Sequence, residues 1–402
     1  MPVVGTACLP YKRTLPAWKP LPMKRARRLL FPLLLCAAPW SVLAATPRIA
    51  SIGCTQDDRA LVASDAGYLA FAHAVQEAGI PGAQLLQGKG SEVTLYCTGL
   101  KRSDGREAVD AQTVFQAASL SKVVGAYVAL RLADAGIIDL DTPLWQYWPS
   151  PRLKDNLPAQ AITARMVLSH TSGLPNWQIS PADAAIDHTP LQSLFAPGQA
   201  FAYSGEGFYL LQRTLEHVTG KAWEQLAREQ AFAPLGMASS HYLATPRFNS
   251  HKAYGHHADG TLERERVFAW ENTAWTLSTT ASDYHRFVQH ALFEGQGLKA
   301  ITHAALLAPA SDAIDPRAST AADTRIAWGL GVGLQNDAGR RIVWHWGDNP
   351  GFKAFFALDR DSGQHVVLLT NSQNGPLAYR PLLQQLMGPG DYPALEWINA
   401  QP

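Results

Sequence analysis

Cysteine is scarce in this chain, four in 402 residues, and two of the four fall within the first 36 positions. Charged residues are only 17% of the sequence against 47% apolar. That balance excludes a disordered chain and supplies enough apolar surface for a large core or two lobes. There is no C-x-x-C pair and no H-E-x-x-H among the thirteen histidines, so a zinc site lacks its usual spacing. Beyond residue 44 no apolar run approaches the ~20 residues a membrane span needs. No internal repeat and no low-complexity tract is present. Residues 1–44 hold seven Lys/Arg and no acid; without them 27 basic residues face 33 acidic ones. A mildly acidic body lacks the basic face of a nucleic-acid binder.

The basic N-terminus has its own reading. Lys24, Arg25, Arg27 and Arg28 directly precede an apolar stretch, 29–44, that ends in Val42-Leu43-Ala44-Ala45. Basic region, apolar region and small-residue exit are the three parts of a secretory signal. Pro32 and Pro39 interrupt the stretch, and the bulky Leu35 before Cys36 argues against lipid attachment. Met23 is an alternative start, which makes 1–22 a mis-called extension. We therefore expect a signal over 1–44 and a periplasmic or secreted body over 45–402, without stable membrane insertion; an uncleaved N-terminal anchor is the alternative. Cys54 and Cys97 then remain, either joined by a disulfide, as export permits, or buried as separate thiols.

Along the body, residues 60–79 carry apolar positions at helical spacing. Strand patterns follow at 82–86 and 93–100, then a helix over 119–135 that stops at Gly136. The stretch 140–310 is rich in Pro, Gly and short helical patterns, including 207–219 and 282–293. Strands return at 328–334, 341–346, 354–358 and 365–369, with a last helix at 381–387. Strands at both ends with helices between predict an α+β protein: a sheet lobe from about 60–118 and 320–390, and a helical lobe, about 119–319, inserted in it.

The sharpest chemical signal is Ser119-Leu120-Ser121-Lys122. Ser119 opens a predicted helix and Lys122 lies one turn on, on the same face. A buried lysine favours its neutral form and can take a serine proton, while a helix N-terminus offers N–H groups to a developing oxyanion. In isolation the tetrad reads equally as an N-cap serine and a solvated lysine.

Other segments occur in a telling order. They are Val167-Leu168-Ser169-His170-Thr171-Ser172-Gly173-Leu174-Pro175, Pro197-Gly198 with Phe201-Ala202-Tyr203-Ser204-Gly205, then Pro234-Leu235-Gly236-Met237, Leu277-Ser278-Thr279-Thr280-Ala281-Ser282-Asp283 and His345-Trp346-Gly347. Together with Ser-x-x-Lys they resemble the motifs of the serine β-lactamases and penicillin-binding proteins, nearest the class C-like group that includes family VIII carboxylesterases and D-amino-acid peptidases. The resemblance runs from about residue 60 to 371. It implies an antiparallel sheet flanked by helices and an acyl-enzyme mechanism that needs no metal or cofactor. It also implies Ser119 as nucleophile, Lys122 and Tyr203 as the acid/base pair, and the Ser119 and Asp348 amides as oxyanion donors. Tyr203 can serve as base only if cations hold its pKa below the usual ~10.

Two departures narrow the expected substrate. Gly205 stands where the family has the asparagine of Y-x-N, and His345-Trp346 stand where it has the lysine and hydroxyl residue of K-T-G. A carboxylate is recognised well by a fixed cation and poorly by a neutral histidine beside an indole. His345, Trp346, Gly347, Asp348 and Gly205 are the candidate substrate-binding and oxyanion positions. Trp177, Trp275 and Trp346 are candidates for an acyl pocket or for plain core packing. His170 reads as fixing its loop, and His256-His257 as an exposed turn. The expectation is an exported serine hydrolase of small esters or amides, its partner a small ester, β-lactam or peptide-like molecule. A class C-like β-lactamase or D-aminopeptidase is the alternative. A non-catalytic penicillin-binding or sensor protein, acylated without release, is the alternative of another class.

Overall fold

The computed structural model describes residues 49–55, 59–244, 246–268 and 270–400, so the expected signal over 1–44 lies outside the described residues. Among the described residues there are ten strands: β1 (Ala50–Ile52), β2 (Gly82–Lys89), β3 (Glu92–Gly99), β4 (Phe115–Gln116), β5 (Ser278–Thr279), β6 (Ile326–Trp328), β7 (Gly333–Asp337), β8 (Arg340–Asn349), β9 (Phe352–Asp359) and β10 (His365–Thr370). Eight of them form one sheet in the order β1-β3-β2-β10-β9-β8-β7-β6, while β4 and β5 pair separately. The sheet is closed by both ends of the chain, Leu85 of β2 lying opposite Leu368 of β10. It is antiparallel except at its edge, where β1 runs parallel to β3.

The strands are buried on both faces. Leu86, Leu95, Val343 and Val367 point into one core, with the helix Leu120–Asp134; Leu85, Tyr96, Trp344 and Leu368 point into the other, with helices Ala66–Glu77, Tyr379–Leu386 and Pro393–Ala400. The Leu120–Asp134 helix is buried on nearly every side, as a helix apolar around its whole circumference must be. Residues 47–402 form one compact unit, and the first core runs unbroken from the sheet into the inserted helices.

Two expected elements differ from what is observed. The helix read over 60–79 is broken, because Asp65 caps a new start by accepting the Tyr68 N–H, and the long helix spans Ala66–Glu77. The strand read over 328–334 is split between β6 and β7. Gly331, at φ +95°, turns the chain there so close to the central helix that a Cβ would lie 2.3 Å from Ala126 Cβ.

Cys54 and Cys97 are joined by a disulfide with Cα atoms 4.8 Å apart. It staples the chain just after β1 to β3, at the sheet edge. Closing a loop of 43 residues is worth about 4 kcal/mol in the chain-entropy account. No helix among the described residues is long and apolar enough to cross a membrane.

Candidate active site

The site grows from the turn between β4 and the central helix. Ala117 N–H donates to the Leu277 carbonyl at 2.8 Å, and Ala118 then takes a left-handed conformation, φ +48°, costly for a residue with a Cβ. This turn delivers Ser119 to the helix N-terminus. Its hydroxyl does not cap that helix, so the plain N-cap reading is wrong here. Lys122 Nζ instead donates to Ser119 Oγ at 3.1 Å and to the Ala274 carbonyl at 2.9 Å. Lys122 is 1% exposed, and burial holds its pKa down at about 7. No carboxylate among the described residues faces its Nζ, so at neutral pH the free amine competes with the ammonium.

Tyr203 lies on the other side of this amine, whose Nζ is 4.7 Å from the centre of its ring. Its hydroxyl faces Ser119 without reaching hydrogen-bond geometry with any described group. Burial pushes the Tyr203 pKa well up; Ser119 acts weakly against that, and the Asp348 carboxylate adds to it. Burial and Asp348 thus work against the tyrosinate, and Tyr203 is held as the neutral phenol.

The strand expected to line the site does so with alternate residues. On β8, Trp344 and Trp346 join the core under the C-terminal helices, whereas Val343, His345 and Gly347 face the central helix. A Cβ on Gly347 would lie 2.2 Å from the Ala117 carbonyl oxygen, so only glycine lets the strand approach the nucleophile turn this closely. His345 is fully buried and does not line the cleft, which corrects its reading as a substrate-binding residue. Its Nδ1 donates to the Trp346 carbonyl at 2.7 Å, and its pKa is pushed down to about 3, mainly by burial and next by Lys122. Trp346 packs over the Tyr203 ring at 4.7 Å between centroids. The Asp348 side chain is exposed and ion-paired with Lys353.

Gly205 is corrected in the same way: it begins the Gly205–Thr219 helix and lies under, not in, the cleft wall. The space its side chain would need is filled by Trp177, whose indole would be 2.4 Å from a Cβ on residue 205. Gly205 N–H donates to Asn176 Oδ1 at 3.0 Å, Glu206 N–H to the Asn176 carbonyl at 3.0 Å, and Gln178 N–H to Glu206 Oε1 at 3.0 Å. Glu206 is itself held by a buried bidentate pair with Arg152. These bonds pin the 176–178 loop onto the helix start.

Above Ser119 opens a cleft of about 770 Å³, lined by Ser119, Tyr203, Trp177, Trp275, Trp346, Gly347 and Asp348 among others. Arg266, Arg317 and Lys353 also line it, and sequence patterns missed all three because they come from unrelated segments. Arg317 is paired with Asp315 at 2.6 Å and Lys353 with Asp348, while Arg266 is exposed. His256, expected in an exposed turn, is instead buried: its Nε2 accepts the Ser103 N–H and its Nδ1 donates to the Asn371 carbonyl. No cluster of three or more potential metal ligands occurs among the described residues.

This fold, with a serine and a lysine one helical turn apart beside strand β8, is that of the β-lactamase and penicillin-binding class. A family model described as beta-lactamase matches residues 69–386, and the chain belongs to that family, whose members are serine hydrolases. It is similar to penicillin-binding protein 4 of Amycolatopsis lactamdurans, 25% identical over 77% of this chain and 85% of that one. Protein flp of Staphylococcus aureus is 23% identical over 74% of this chain, which spans only 61% of flp. Among solved structures, SurE matches with TM-score 0.67 and 26% identity over 80% of this chain and 74% of its own. A class C β-lactamase matches with TM-score 0.66 and 18% identity over 81% and 99% of the two chains, a likeness of fold alone.

Proposed function

We propose that the protein is an exported serine hydrolase that cleaves small, neutral esters through an acyl-enzyme. The observation that carries this reading is the 3.1 Å contact between Ser119 Oγ and a buried Lys122 amine without a carboxylate partner. Neutral Lys122 accepts the Ser119 proton as Oγ bonds to the acyl carbon. The Ser119 and Asp348 amides receive the oxyanion charge. Tyr203 gives its proton to the departing alkoxide as the ester C–O bond breaks, and is reprotonated from Lys122. In the second half Lys122 takes a proton from water as the water oxygen bonds to the acyl carbon, and returns that proton to Ser119 Oγ as the acyl C–Oγ bond breaks and the acid leaves.

The preference for neutral substrates is supported by the indole of Trp177 in the space of the family's Y-x-N amide and by the neutral, buried His345 in place of a lysine. Arg317 and Lys353 in the cleft are already neutralised by Asp315 and Asp348. The disulfide Cys54–Cys97 supports export to an oxidising compartment. One observation favours a second reading, a β-lactam or peptide substrate bearing a carboxylate: Arg266 lines the cleft as an exposed guanidinium with no carboxylate partner among the described residues.

The test is release of product from p-nitrophenyl butyrate and from nitrocefin by the protein and by Ser119→Ala. We expect ester turnover to exceed nitrocefin turnover, and Ser119→Ala to lose at least about 10⁴-fold. Faster Ser119-dependent nitrocefin cleavage returns the protein to the β-lactamases. A stable adduct on Ser119 without turnover, seen by intact mass, makes it a binder. Activity that survives Ser119→Ala overturns the site.

A further inference from the structure

Resting on that reading, we infer that His170 is a positioning residue that fixes the Tyr203 phenol against Ser119. Its place in the sequence suggests only a loop-fixing role. The structure gives it three holds on the tripeptide Ala202-Tyr203-Ser204. The Ala202 N–H donates to the His170 carbonyl at 2.8 Å, the Ser204 N–H donates to His170 Nδ1 at 3.0 Å, and the imidazole packs on the Tyr203 ring at 4.5 Å between centroids. The amides on both sides of Tyr203 are thus bound by one residue, and the ring between them lies on that residue's side chain.

His170 reaches this position by a left-handed backbone, φ +55°, just past the end of the Ala164–Leu168 helix. Such strain persists only where the surroundings over-determine it. The ring is fully buried, with Phe208 and Trp328 at 5.4 and 5.1 Å completing its enclosure. Because Nδ1 accepts from Ser204, the ring proton sits on Nε2. Protonating Nδ1 would break the Ser204 bond and add a cation beside Lys122 and His345; burial and these two neighbours hold the His170 pKa well below the ordinary histidine value. His170 is therefore a fixed neutral acceptor across the working pH range.

The need for such a device follows from Tyr203 itself. Its hydroxyl makes no hydrogen bond within ordinary geometry, so the polar end of the phenol does not set its own position. The backbone amides and the ring face must do so, and a displacement of about 1 Å at a catalytic group can cost about 10²-fold.

The experiment is a cycle of His170→Leu and His170→Asn in the parent and in Tyr203→Phe, with kcat, KM and thermal unfolding measured on each. Leucine keeps bulk but no acceptor; asparagine tolerates the left-handed backbone and offers Oδ1 where Nδ1 was. In the parent, His170→Leu should lower kcat about 100-fold and His170→Asn about tenfold, with KM within about threefold. In Tyr203→Phe both should change kcat less than about threefold, because the group they position is gone. If His170→Leu fails to fold, the cycle with His170→Asn tests the same coupling. Losses that multiply unchanged in Tyr203→Phe, equal losses for Leu and Asn, or full activity of Tyr203→Phe would overturn the inference. A parent with neither Ser119-dependent hydrolysis nor fluorophosphonate labelling of Ser119 removes the hydrolase reading and this inference with it; a labelled, active parent with multiplicative losses removes the inference alone.

Discussion

Two pairs of buried histidines differ in a way that separates a strut from a site. In the first, His365 Nδ1 donates to the Gly363 carbonyl at 2.9 Å, so His365 Nε2 accepts from His285 Nδ1 at 2.7 Å. The rings stack at 4.9 Å, and His365 lies on Gly88, where a Cβ would be 2.5 Å from the ring. Donor and acceptor are matched between the two rings, and the pair ties β10 to the Ala281–Arg286 helix. In the second, His170 and His345 each commit Nδ1 to the backbone and leave Nε2 unpartnered, with Lys122 and Tyr203 as neighbours. Burial pushes His285 and His345 alike down to about 3. A shifted pKa therefore does not mark a site by itself. The company the group keeps, and whether its hydrogen bonds are complete, do so.

The largest expected effect breaks the comparison at the site. Lys122→Met should lower kcat/KM for a good ester by at least about 10³-fold, and Lys122→Arg should do no better, because a guanidinium does not give up its proton. In the parent, kcat/KM should rise with pH along a limb centred near 7, as Lys122 loses its proton. His285→Phe should leave that limb in place. A limb that moves with His285→Phe, or one centred far from 7, would dissolve the distinction between the pairs.

A smaller effect separates stability from chemistry. His365→Ala removes a buried ring and strands His285 Nδ1, and should cost about 2–4 kcal/mol in urea unfolding. The kcat of the folded fraction should stay within about twofold. A large fall in kcat without loss of stability would show the first pair to be part of the site.

The last effect is on acid stability. The folded pKa of His285 lies below its unfolded value of ~6.5. The unfolded chain therefore binds the proton first, and the stability tied to neutral His285 is present above pH ~6.5 and lost as pH falls toward about 3. The slope is up to about 1.4 kcal/mol per pH unit for each such histidine. Unfolding free energies measured between pH 7 and 4 should fall less steeply in His285→Phe than in the parent. Equal slopes would mean that His285 accepts a proton without unfolding.

Much of the fold was legible because it rests on local pattern. The strands from 82 to 99 and from 340 to 370 were located because their apolar runs are bounded by turns, and their pairing follows from a sheet that both ends must close. The strand read over 328–334 failed because its Gly331 packs against Ala126 of a helix about 200 positions earlier, a contact that no window contains. At the site, motif order made candidates of Ser119, Lys122 and Tyr203, which the fold places side by side, but misjudged what lay beneath them. Gly205 read as a lost amide and is the seat of Trp177; His345 read as a cleft residue and is buried behind Tyr203.

What the sequence by itself determined is what three residues of helix can carry. Ser119 and Lys122 are neighbours in any helix that starts there, since i and i+3 share a face. The family follows from that spacing and from the order of the motifs. Only the tertiary structure decided how that lysine behaves. Its second hydrogen-bond partner, the Ala274 carbonyl, is 152 residues away, and its burial is made by segments brought from the whole chain. The same holds for the Trp177 wall, the His170 clamp and the Cys54–Cys97 staple. Spacing along a helix is set by backbone geometry, whereas desolvation and contact are set by whichever distant segments fill the remaining space.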